Sequence, residues 1–239
     1  MSKGATDLAE RFEAIRTRIA RAEARAGRAA GSVQLLPVSK GQGAEILAQA
    51  LSVPNFPRRF GENYLEELMS KSAELARAPD TLARPPVEWH YQGRLQSRKI
   101  SDIVMVADVI QTVGREKELA ILQEESLRLG RAPRFFLQIN VSGENQKNGA
   151  APEELSRLIE AAEGLGLRAR LMGLMCLASD LSGADEKALR REFTDLRTLR
   201  DRHLSGGALS MGMSQDFEIA IEEGADWVRV GSSIFGARG

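Results

Sequence analysis

"ALSMGMSQDFEIAIEEGADWVRVGSSIFG", residues 208–236, carries two short strand patterns on either side of one amphipathic helix. ALSMG (208–212) and DWVRVG (226–231) are apolar runs of strand length, and residues 214–223 between them have helical spacing. Ser214 stands where a helix N-cap belongs, and Gly224 follows the helix end. A strand, a helix and a second strand in this order predict parallel neighbours joined by a crossover. Both strands run out into small and polar residues: Ser210-Met211-Gly212, then Arg229-Val230-Gly231-Ser232-Ser233.

The same unit recurs toward the N-terminus. Strand patterns occur at QLLPVS (34–39), PRRF (57–60), VEWHY (87–91), VADVIQ (106–111), RFFLQIN (134–140) and RARLMG (168–173). Helical patterns lie around 44–51, 63–77, 95–101, 115–129, 152–163 and 185–203. An opening helix is marked by Leu8, Phe12, Ile15 and Ile19, with Gly27 as its stop. Eight strands alternating with helices predict an α/β fold with a parallel sheet, and eight is the number that closes a (β/α)8 TIM barrel. An open doubly wound sheet remains the alternative, because periodicity does not reveal closure. No linker or internal repeat interrupts residues 1–239, so one domain is expected, with residues 1–30 as a helix packed on the barrel and 78–86 as an irregular loop.

Composition narrows the function. The chain has 33 basic and 33 acidic side chains, interspersed, which argues against a nucleic-acid partner or a polybasic membrane surface. No apolar run approaches the roughly 18 residues of a membrane span, and the first residues show no signal-peptide core, so a cytoplasmic protein is expected. Cys176 is the only cysteine, which rules out an internal disulfide and reads as a small buried hydrophobe. His90 and His203 are too few and too far apart to predict a metal site.

Barrel chemistry gathers at the C-terminal ends of strands. Those ends supply Lys40, Gly61-Glu62-Asn63-Tyr64, His90-Tyr91, Asn140, Met175 and the two segments quoted above. Loops after strands seven and eight are common phosphate sites, so Ser210, Gly231, Ser232 and Ser233 point to a phosphorylated ligand. Lys40 ends the apolar run LLPVS. It is either a lysine extending into solvent or an amine kept reactive by apolar walls, able to form a Schiff base with an aldehyde. Arg229 is either half of a surface ion pair or a ligand contact. A carrier, an enzyme working on amino acids, and a cofactor-free aldolase acting on a sugar phosphate all fit this pattern.

The segments LLPVSK, FGENYLEEL, EWHYQGRLQSRK, LQINVSGENQKNG, LMGLMCL and LSMGMSQDFEIAIEEGADWVRVGSSIFGAR, in this order, resemble the pyridoxal phosphate homeostasis family (PROSC or YggS-like proteins). The resemblance implies a barrel of the alanine racemase N-terminal type, fold type III. It also implies pyridoxal 5'-phosphate (PLP) carried as a Schiff base on Lys40, in the service of intracellular vitamin B6 homeostasis and delivery to PLP-requiring apo-enzymes. Asn63 and Met211 would lie near the cofactor ring. Ser210, Gly231 and Ser232 would hold its phosphate, with Ser232 standing where threonine is expected, and Arg229 would face its ring nitrogen. An arginine there disfavours ring protonation and weakens the electron sink. Similar racemases take a tyrosine from a C-terminal β-domain that this sequence lacks, so a non-catalytic monomeric carrier is expected, with modest amino-acid racemase activity as the alternative. In place of the family's VSK-T-K-P, this sequence reads VSK-G-Q-G (38–43), without the second lysine.

Overall fold

The computed structural model describes residues 3–77, 86–144, 147–179 and 185–236. After the long helix α1 (Lys3–Arg25), strand and helix alternate: β1 (Gln34–Pro37), α2 (Ala44–Ser52), β2 (Arg59–Glu62), α3 (Leu65–Arg77) and β3 (Glu88–Tyr91). They continue with α4 (Ile100–Val106), β4 (Val109–Val113), α5 (Glu116–Leu129), β5 (Arg134–Gln138), α6 (Leu155–Gly164) and β6 (Leu171–Met175). The last turns of the barrel are α7 (Glu186–His203), β7 (Ala208–Ser210), α8 (Phe217–Glu222), β8 (Trp227–Val230) and the short α9 (Ser232–Phe235).

All eight strands are parallel, and each from β2 to β7 pairs with the next. β1 lies against β8, with Gln34 opposite Trp227 and Pro37 opposite Val230. It also meets β2 through a parallel bridge between Val38 and Gly61, where the Ser39 amide donates to the Gly61 carbonyl at 3.0 Å. That bridge closes the sheet into a barrel and removes the open-sheet alternative.

Side chains alternate between two environments along each strand, as the two-residue strand period requires. On β8, Val228 and Val230 join the large core between strands and helices, whereas Trp227 packs with Leu36, Val109, Phe136 and Met175 inside the barrel. The N-terminal helix buries Leu8, Phe12, Ile15 and Ile19, the spacing that marked it in the sequence. It lies over the end of the chain: Arg11 Nε donates to the Ile234 carbonyl at 2.8 Å, and Arg18 pairs with Glu218 at 2.8 Å. Phe12 also stacks tilted on Phe56, with ring centroids 4.7 Å apart.

Three strands begin two or more residues later than their sequence patterns suggest. β2 starts at Arg59, two residues after Pro57, whose missing N–H cannot join a ladder. β6 starts at Leu171 because Arg168–Arg170 form a 3-10 turn, held where Arg170 donates to the Pro133 carbonyl and the Ser126 hydroxyl. β4 starts at Val109 because Val106 ends α4, and the Asp108 carboxylate caps the Trp89 amide at 2.9 Å. The irregular loop expected at 78–86 falls, except for Pro86, outside the described residues.

Candidate functional site

The even-numbered positions of the first strand and its extension, 34, 36, 38 and 40, point along the barrel interior, and this carries Lys40 to its C-terminal mouth. There a cavity of about 510 Å³ opens, within the size range of small-molecule sites. Val38, Met175, Leu177, Met213 and Phe235 give it apolar walls. Lys40, Gln42, Asn63 and Gln92 bring amine and carboxamide groups from the β1–β3 side. Arg229, Ser214, Gly231 and Ser232 face the same space from the β7–β8 side. The Lys40 ammonium lies 5.1 Å from the ring centroid of Tyr64, a half-exposed residue. Gln92 Nε2 is buried with no hydrogen-bond partner among the described residues.

The loop after β7 departs from the expected roles. Ser210 faces the barrel interior and Met211 faces the helix layer; both are fully buried, and neither lines the cavity. The chain then turns at Gly212, whose φ of 92° favours glycine. The residues beyond the turn, Met213 and Ser214, are the ones that overhang the cavity. Ser214 therefore does not cap a helix, which begins only at Phe217; its hydroxyl accepts from the Gly231 amide at 3.4 Å. The Ser214 and Ser232 hydroxyls converge there as uncharged donors, with the Gly231 amide bound to the first of them.

Arg229 is 4% exposed, which removes the surface ion-pair reading. Its guanidinium donates to Ser210 Oγ at 2.9 Å and to the Cys176 carbonyl at 2.7 Å. Burial pulls its pKa down from the ordinary arginine value, opposed by Cys176 and Asp216 through space. The same burial pushes the Cys176 thiol up to about 12, so it is inert as a nucleophile.

From Arg229 a column of hydrogen bonds descends through the barrel. Ser210 Oγ donates to Gln111 Oε1 at 2.6 Å, and Gln111 Nε2 lies 3.0 Å from His90 Nδ1. His90 Nε2 lies 2.8 Å from Glu88 Oε1, and Glu88 is paired with Arg134 at the opposite end. Since the Gln111 amide must donate to Nδ1, His90 is the Nε2–H tautomer and donates to Glu88. Burial holds the His90 pKa below its ordinary value, so the ring is neutral at pH 7. The His90 hydrogen bond, with Arg134 and Arg59 nearby, holds the Glu88 carboxyl at about 2. Every bond in the column donates in the same direction, away from Arg229, which fixes the guanidinium beside the cavity.

Comparison with known proteins agrees with this architecture. Residues 11–239 match the family model described as alanine racemase, N-terminal domain. A pyridoxal phosphate homeostasis protein of Pseudomonas aeruginosa is 41% identical over 233 residues, covering 97% of this chain and 96% of that protein. The chain belongs to the pyridoxal phosphate homeostasis protein family. Within reach of the family, a solved protein from Bifidobacterium adolescentis superposes with a TM-score of 0.87 at 32% identity, over 98% of this chain and 97% of that one. PipY of Synechococcus elongatus, solved with PLP bound, superposes with a TM-score of 0.76 at 31% identity, over 96% of this chain and 100% of that one.

Of the residues singled out for a homeostasis-family site, Lys40, Asn63, Arg229, Gly231 and Ser232 meet around the cavity, while Ser210 and Met211 lie beneath and beside it. Asn140 also lies away from it, donating to the Glu144 carbonyl at 3.0 Å to shape the loop after β5. Gln42, Gln92, Leu177 and Met213 were not expected to line it. A signal for the polar column was available: Glu88, His90 and Gln111 are polar residues within strand patterns that are mostly apolar or aromatic.

Proposed function

We propose that this chain binds PLP in the cavity at the barrel mouth, carries it as a Schiff base on Lys40 and delivers it to PLP-requiring enzymes without turning over a substrate itself. The observation that carries the reading is one cavity with a primary amine on one side and Ser214, Gly231 and Ser232 on the other. An aldehyde bearing a phosphate needs these two chemistries, and the residues present fit it. PLP bound to PipY, a family member at 31% identity, supports the same ligand here.

The side chains divide the work. Lys40 Nζ, at the mouth of the cavity, would be the attachment point for the aldehyde group. The Ser214 and Ser232 hydroxyls would hold the phosphate through hydrogen bonds to a charged acceptor, each stronger than a neutral pair, with the Gly231 amide orienting Ser214. Met175, Leu177 and Phe235 would exclude water from the cavity once it is filled. Bound PLP supplies electron withdrawal from an attached amine. Arg229 limits that withdrawal, since a guanidinium has no proton acceptor to offer and does not hold a proton on a ring nitrogen.

The test is transfer. The loaded protein is expected to activate an apo-form of a PLP enzyme while leaving single-enantiomer amino acids unchanged. Racemisation or transamination at about 1 per second or faster contradicts the carrier reading.

A further inference from the structure

Lys40 sits between an extended segment and a turn, and its two flanking peptide groups are both held by helix α3. The carbonyl of Ser39, in the peptide before Lys40, accepts from Lys71 Nζ at 2.8 Å. The amide of Gly41, in the peptide after it, donates to Glu67 Oε2 at 2.8 Å. Glu67 and Lys71 stand four residues apart on the helix and pair with each other at 2.6 Å. Lys71 is 5% exposed and directs its third bond to Glu62 Oε1 at 2.6 Å, so all three ammonium donors are used. Glu62 is fully buried and also accepts from Ser39 Oγ at 2.6 Å, tying the cluster to the same stretch of chain.

A buried lysine between two carboxylates is an expensive arrangement, and an apolar trio of similar volume often does as well for stability. What apolar residues cannot do is grip a carbonyl on one side of Lys40 and an N–H on the other. The two grips restrain both backbone dihedrals of Lys40. They also hold Gly41 at a φ of 73°, where the chain departs toward α2.

We propose that Glu67 and Lys71 are positioning residues that clamp the Lys40 backbone so that its amine enters the cavity in one orientation. The proposal rests on the reading of Lys40 as the attachment point for PLP. Neither residue lines the cavity, and both act through the chain that carries Lys40. A reactive amine on a four-carbon stem gains from a fixed root, because misplacement of a reacting group by ~1 Å slows bond formation by up to ~100-fold.

The experiment compares full-length wild type with Glu67→Ala, Glu67→Gln and Lys71→Met. The readouts are the rate at which added PLP becomes borohydride-fixed on Lys40 and the visible circular dichroism of the bound chromophore. The Glu67 side chain is partly exposed, so Glu67→Ala is expected to fold. It should slow modification of Lys40 by about tenfold and weaken the dichroic band. Glu67→Gln keeps an oxygen for the Gly41 amide and should return both readouts most of the way to wild type. Lys71→Met leaves Glu62 buried without its cation and should lose melting temperature as well as rate. Wild-type rate and dichroism in Glu67→Ala, or a Glu67→Gln variant as slow as Glu67→Ala, overturns the clamp. A wild type that never forms the Lys40 adduct overturns the parent reading instead, and the clamp with it.

Discussion

Ser210 and Ser214 are four residues apart in one motif, and the structure gives them different work. Ser210 supports Arg229 from inside the barrel, whereas Ser214 reaches the cavity. Replacing Ser214 or Ser232 with alanine should therefore weaken PLP binding by about tenfold each, the loss of one hydrogen bond to a charged acceptor. Inorganic phosphate should compete less well in the same variants, as measured by displacement of bound PLP. Ser210→Ala should leave phosphate competition unchanged and alter the spectrum of bound PLP through a reoriented Arg229. At this scale the sequence was only partly legible. Lys40 and Arg229 stood out as charges near the ends of apolar runs, but each carried a surface reading beside the ligand reading, and burial alone separates the two for Arg229. Whether a serine beside a turn faces in or over the mouth depends on one dihedral at Gly212 that no spacing rule specifies. Glu67 and Lys71 have the spacing of an ordinary solvated i,i+4 contact, and only packing against the β1 extension buries the lysine.

The loop elements of β7 and β8 are where local geometry is least negotiable. A Cβ on Gly212 would lie 2.6 Å from the Ala220 Cβ and 2.9 Å from the Phe217 Cα, in addition to its left-handed φ. Gly212→Ala is expected to lower unfolding stability by about 3 kcal/mol, from strain and overpacking together. Equilibrium denaturation measures this, and a loss below about 1 kcal/mol would mean that the loop relaxes without involving the helix. Existence and order of the strands were legible from apolar runs for most of them; β2, Arg59–Glu62, has only Phe60 and was legible from its place between two helical patterns. The first residues of the strands were not. β2, β4 and β6 each begin late because a proline, an aspartate cap or a 3-10 turn occupies the start of the sequence pattern.

At the scale of the whole barrel, the column from Arg229 to Glu88 makes stability depend on acid. His90 is held below its ordinary pKa, so as pH falls below about 6.5 the unfolded chain takes up a proton that the folded chain refuses. Glu88, held at about 2, adds a second loss between about 4.5 and 2, on the order of 2 kcal/mol when complete. Both effects destabilise the fold as pH falls, and neither changes above neutrality. The melting temperature of His90→Gln should thus be flatter between pH 7 and 5 than that of the wild type, and the lower window, which rests first on the His90 hydrogen bond to Glu88, should narrow. Closure of the sheet also belongs to this scale and was not legible locally, because it depends on β1 meeting both β8 and β2.

The most direct measurement of the central claim is borohydride reduction of the PLP-loaded wild-type protein, followed by peptide mass mapping. The account predicts one pyridoxyl group, on the peptide carrying Lys40, and no fixed adduct in Lys40→Ala even where PLP still docks through the serines. A protein that takes up no PLP, or one that carries the adduct on another lysine with Lys40 unmodified, would contradict it.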